Sequence, residues 1–205
     1  MKVQGSLLAC LIASLSAGSV LAGEEYLATP AVDRAIYRDG QVRRTGATVG
    51  SWSVVCDEVV RLRQRFCSLE ALGRDAAGAA RVGLTISTAD DGKPAALLRL
   101  PFGVLLDDGV EVSISPGAPA PKGRAQPVDP PMRLQVVTCD AKACLTAWGL
   151  TASQLAALNG AGAIKFRYRA ISAGRLGMNL APSAAPVEAV VSCRGFAEAV
   201  QATLK

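Results

Sequence analysis

From residue 49 onward the chain reads as short stretches that alternate small or polar side chains with bulky apolar ones, cut at intervals by turn signals. Gly50-Ser51-Trp52-Ser53-Val54-Val55-Cys56 and Val82-Gly83-Leu84-Thr85-Ile86-Ser87 both follow this pattern. A period of two places one set of side chains on each face of an extended backbone, as a half-buried strand requires. Asp91-Gly92 separates 82–87 from a second stretch at 95–100, and Asp107-Asp108-Gly109 separates 102–106 from 110–114. Glycine accepts the positive φ of a tight turn, so both read as hairpins. Further strands are expected at 64–69, 132–139, 145–148, 163–170 and 187–193. Two short helices interrupt them. Thr151-Ala152-Ser153-Gln154 has the form of a capping box, with Asn159-Gly160 as its stop, and 196–204 suits a closing helix. The stretch 116–131, with six prolines and two glycines, is a loop, and 171–186 is loop-like. The pattern predicts a mainly β fold, a β-sandwich with one or two short helices.

The chain begins with one positive charge at Lys2, then an apolar run over 7–21 that ends in Val20-Leu21-Ala22. This is the layout of a signal peptide, removed after Ala22. Cys10 sits too early in that run for a lipoprotein cleavage box and is discarded with the leader. No later segment is apolar for long enough to span a membrane. Residues 23–48 hold no sustained period and concentrate Arg34, Arg38, Arg43 and Arg44, which predicts a flexible basic arm. The expected organisation is a leader at 1–22, the arm at 23–48 and a single domain over 49–205.

Export places the five remaining cysteines in an oxidising compartment. Cys139 and Cys144 flank a four-residue turn, and Cys56 and Cys67 lie on successive strands. Local pairs on adjacent strands are natural bridges, so Cys56–Cys67 and Cys139–Cys144 are the expected disulfides. No CxxC occurs, which weighs against zinc or redox use. Cys193 is left over. It shares a strand face with Val187, Ala189 and Val191, so it is expected to be a buried free thiol, with an intermolecular bridge as the alternative.

Histidine is absent from all 205 residues. That removes Ser-His-Asp and Cys-His catalysis and His-ligated zinc. The carboxylates of Asp90-Asp91 and Asp107-Asp108 are turn chemistry, since neighbours on a strand point to opposite faces. Neither an enzyme, nor a cofactor, nor a metal site is expected. Loss of Lys2 with the leader leaves 21 Lys+Arg against 17 Asp+Glu, a surplus of four. This mild excess, with few aromatics, does not predict a nucleic-acid partner. Two strips could meet a protein partner: Arg61, Arg63 and Arg65, at period two on an extended segment, and Lys165, Arg167 and Arg169 on the polar face of 163–170.

Several of these residues together resemble the invasion-associated locus B family. They are Trp52-Ser53-Val54-Val55-Cys56, Cys67, Leu100-Pro101-Phe102-Gly103-Val104-Leu105-Leu106 with Gly109-Val110, the Cys139…Cys144 hairpin, and Ser192-Cys193-Arg194-Gly195-Phe196. The resemblance runs from about residue 49 to the C-terminus. It implies an immunoglobulin-like β-sandwich with two local disulfides, exported by a proteobacterium and working at the cell envelope. Host invasion, which names the family, does not carry over, because many members come from free-living bacteria. No catalytic residue is implied. The expected function is a non-catalytic periplasmic or outer-envelope module, monomeric by itself, that binds a protein partner. The alternative is an accessory subunit of a membrane complex, contacted through the basic N-terminal arm.

Overall fold

A computed structural model of the chain describes residues 41–117, 131–171 and 184–203. The leader with Cys10, residues 23–40 of the arm, and 118–130 and 172–183 of the two loops lie outside them.

The described residues form strands β1 (Val42–Val49), β2 (Trp52–Val59), β3 (Gln64–Arg74), β4 (Ala80–Thr88), β5 (Pro94–Leu100) and β6 (Val110–Pro116). Then come β7 (Met132–Leu134), β8 (Thr138–Cys139), β9 (Cys144–Gly149), helix α1 (Ala152–Gly160), β10 (Ala161–Ile171), β11 (Ala184–Ser192) and helix α2 (Phe196–Thr203). All pairing is antiparallel, in the order β7-β6-β10-β11-β3-β4-β5-β9-β8, with β1 and β2 added on β3.

β3 is the pivot. One edge pairs with β4, while the other pairs with β2 as far as Ser53–Glu70 and meets β11 only at Arg74–Val190. The sheet doubles over there into two layers, β1-β2-β3-β4-β5-β9-β8 against β11-β10-β6-β7. Alternation supplies the inward side chains of both: Leu84 and Ile86 from β4, Val112 from β6, Ile164 and Phe166 from β10, all buried in one core with Trp52, Leu69 and Leu98. The Tyr168 hydroxyl on β10 donates to the Arg81 carbonyl on β4 at 3.0 Å, and burial pushes its pKa up to about 12. Phe196 carries α2 onto Trp52, with ring centroids 5.0 Å apart and planes tilted by 58°.

The expected β-sandwich with two helices is therefore the observed architecture, and both disulfides are present. Cys56 stands opposite Cys67 in the β2–β3 register and Cys139 opposite Cys144 in β8–β9, with Cα separations of 4.1 and 3.9 Å. The capping box forms as read: the Gln154 amide donates to Thr151 Oγ1, and the Thr151 amide to Gln154 Oε1.

Three local expectations need correction. Residues 42–48 of the supposed arm belong to β1, which pairs residue for residue with β2 across the Gly50-Ser51 turn. Its outer residues bury little. Backbone pairing and the Arg43–Glu58 and Arg44–Asp57 ion pairs hold it, neither of which has a hydrophobic signature. Residues 102–106 are a turn with a single bridge, Val104–Ala170, rather than a strand, because Pro101 lacks an amide hydrogen and Gly103 takes a φ of 89°. Residues 132–139 do not run as one strand. Met132–Leu134 pairs with β6 in one layer, and Thr138–Cys139 with β9 in the other.

Candidate binding surfaces

Arg61 and Arg63 lie in the β2–β3 connection, which is not extended, while Arg65 is the second residue of β3, opposite Glu58. Val60–Leu62 make one 3-10 turn, and Arg63 takes a left-handed φ of 52° with its amide donating to the Val60 carbonyl. The three arginines therefore do not share one strand face, as their period-two spacing suggested. Arg61 and Arg63 sit at the tip of this hairpin with Val60 and Leu62, and Arg65 and Phe66 take opposite faces of β3 just behind it; Val60, Leu62 and Phe66 are 46%, 55% and 53% exposed. The nearby acids are engaged elsewhere. Arg43 takes Glu58, and Arg44 grips Asp57 through two hydrogen bonds of 2.9 and 2.8 Å. The hydrogen bond to Asp57 is the main reason the pKa of Arg44 is raised. Among the described residues none of Arg61, Arg63 and Arg65 forms an ion pair. Arg65 instead lies 3.3 Å from Cys56 Sγ.

Lys165, Arg167 and Arg169 do occupy the outer face of β10, with Ile164, Phe166 and Tyr168 inward. Acids on the flanking strands and turn answer two of them. Arg167 Nε donates to Glu188 on β11 at 2.8 Å and its Nη1 lies 3.7 Å from Glu111 on β6, while Arg169 reaches Asp108 at 3.4 Å. The hydrogen bond from Arg167 holds the Glu188 carboxyl below its ordinary range. The strip is a cross-strand ladder of mixed sign more than a cationic stripe.

A third surface has no counterpart among the sequence expectations. Where β2 and β11 part company on β3, a cleft of about 500 Å³ opens, lined by Ser51, Ser53, Glu70, Arg74, Thr85 and Ser192, with Leu72 and Val190 beside them. The ladder with β2 ends at Glu70 and that with β11 touches only Arg74, so among the described residues nothing is laddered to 71–73 on this edge. Glu70 Oε1 is shut off from solvent and accepts no hydrogen bond. Two strands away Arg99, only 6% exposed, donates to Thr85 Oγ1 at 3.2 Å. Burial lowers its pKa, and the charges of Glu70 and Asp140 oppose that shift. The backbones at the top of the cleft touch: the Ser51 amide donates to the Arg194 carbonyl at 2.9 Å, beside Gly50 and Gly195. Strand alternation alone places Ser53, Glu70, Thr85 and Arg99 on the outer face. Nothing local announces that β11 will arrive to wall them in.

Cys193, the one free cysteine of the described residues, is buried, and burial pushes its thiol up to about 11. No group of three or more His, Cys, Asp or Glu side chains is placed to hold a metal among the described residues, and none of their helices is long and apolar enough to cross a membrane.

The model of the Invasion associated locus B (IalB) protein family matches residues 52–204. Among solved structures, invasion associated protein B from Bartonella henselae is similar in fold, with a TM-score of 0.55 at 19% sequence identity, covering 77% of this chain and 93% of that one. A comparison with curated proteins found no match.

Proposed function

This chain belongs to the Invasion associated locus B family, and we propose that it is an exported, non-catalytic binding module of the cell envelope that holds a protein partner in the cleft beside β3. Two disulfides and the family membership support export, since such bridges persist in oxidising compartments. The observation that carries the binding role is the cleft itself. It sets three serine hydroxyls, a threonine and a shielded, unsatisfied carboxylate oxygen around a strand edge without a ladder partner among the described residues. Hydroxyls both donate and accept, and a bare edge takes an extended segment by strand addition. The serines have no imidazole beside them, because the chain contains none, so the same groups suit holding a peptide better than cleaving one.

The test is site-specific photocrosslinking in the native host. Probes at Ser53 and Ser192 should capture one and the same protein, a probe at Ala147 on β9, four strands along the same face from Ser53, should not, and Glu70→Arg should abolish capture. Adducts at Ala147 alone, or capture indifferent to Glu70→Arg, would remove the cleft from the function.

A further inference from the structure

The β2–β3 tip is built unlike the rest of the surface. Within seven residues, Val60-Arg61-Leu62-Arg63-Gln64-Arg65-Phe66, it exposes three large apolar side chains and three arginines that form no ion pair among the described residues. Five arginines elsewhere are answered by acids: Arg43 by Glu58, Arg44 by Asp57, Arg81 by Asp75, Arg167 by Glu188 and Arg169 by Asp108. The two acids closest in sequence, Asp57 and Glu58, are taken by β1. The tip is thus left cationic by the same pairing that holds β1 in the sheet.

The tip is also firm. The Val60 amide donates to the Gln41 carbonyl at 2.9 Å and the Arg63 amide to the Val60 carbonyl at 3.3 Å. The Cys56–Cys67 bridge clamps its base immediately behind Phe66. A firm hairpin tip that projects apolar side chains can enter a soft surface.

We propose that the β2–β3 tip docks the protein on a phosphate-bearing lipid bilayer, with Val60, Leu62 and Phe66 entering the boundary between headgroups and acyl chains and Arg61, Arg63 and Arg65 binding lipid phosphates. The chemistry fits both halves of that boundary. Guanidinium forks bind phosphate oxygens bidentately, and their aliphatic stems lie along apolar surface while the charge stays at headgroup level. A few apolar side chains give weak insertion alone, and the cations add to it on an anionic surface. The tip lies away from the cleft of β3, so docking on a membrane leaves that cleft open.

The experiment uses the disulfide-bonded protein as processed and exported by an expressing bacterium, with vesicles of phosphatidylcholine alone or with phosphatidylglycerol added. Flotation should recover it with the anionic vesicles and far less with the neutral ones. Replacing Arg61, Arg63 and Arg65 by Gln should lower partitioning onto anionic vesicles about 100-fold. The same loss of charge at Lys93, Lys142 and Arg194 should lower it much less. Leu62→Trp should show a blue-shifted emission on anionic vesicles, quenched by brominated acyl chains. Retained binding by the triple Gln variant, equal losses in the two triple variants, or a Leu62→Trp emission indifferent to vesicles would each overturn the proposal. Intact disulfides and an unchanged circular dichroism spectrum establish that the variants are folded.

Discussion

Val190 of β11 stands opposite Arg74 of β3, and among the described residues this is the sole ladder pair between those strands. It turns one long antiparallel sheet into two facing layers. It also creates the cleft, since β2 has already left the same edge at Glu70 and, among the described residues, nothing on that edge is laddered to residues 71–73. The binding surface is a by-product of how the sandwich closes.

The disulfides should stabilise unequally. Cys56–Cys67 closes a separation of 11 residues and Cys139–Cys144 one of 5. On loop entropy the first contributes about 3 kcal/mol and the second about 2 kcal/mol. Urea titrations of the two Cys→Ala double variants should give that order, and a non-reducing peptide map should find no cross-linking between the pairs.

Cys193 sets an alkaline limit on stability. Its pKa rises from 9.0 to about 11 because burial disfavours the thiolate. A raised folded pKa means that the contribution is complete below pH 9 and is lost as pH climbs toward 11. Native protein at pH 8 should resist iodoacetamide at Cys193. The urea midpoint should fall above pH 9, and Cys193→Ala should remove part of that fall while costing about 1 kcal/mol at neutral pH through a small cavity. Rapid labelling of the folded protein would contradict the buried geometry.

Gly195 and Gly50 tie the start of β2 to the end of β11. At Gly195, φ is 83° and an added Cβ would stand 2.5 Å from the Val49 carbonyl oxygen. Gly78 has a similar φ of 82° with open space around it, and Gly149 has neither constraint. Stability loss on substitution by Ala should follow Gly195 > Gly78 > Gly149, with Gly78 costing about 1 kcal/mol from backbone conformation alone. Thermal melts of the three variants separate strain from overlap.

Phe196→Ala should be among the most damaging single changes, at about 3–5 kcal/mol, because it empties the space beside fully buried Trp52. Near-ultraviolet circular dichroism from Trp52 should weaken with it. A variant as stable as the parent would show that α2 is not part of the cooperative core.

Much of this molecule is legible in its sequence because much of it is local. The alternation in β4, β5, β10 and β11, the Thr151–Gln154 capping box, the Asp91-Gly92 turn and the two short-range cysteine pairs each depend on residues a few positions apart. Burial of Cys193 followed from the same period of two. The rest depended on partners from distant segments. Alternation carried through Arg61, Arg63 and Arg65 could not show that Arg63 would turn left-handed and break the shared face. The cationic reading of Lys165, Arg167 and Arg169 could not include Glu188, Glu111 and Asp108, which strand pairing and a neighbouring turn bring alongside. β1 was missed because backbone ladders and ion pairs hold it, and these leave no apolar pattern. The cleft required Val190 to meet Arg74, a contact between segments far apart in sequence. Periodicity states which face a side chain takes, but only the packed sheet decides what stands opposite that face.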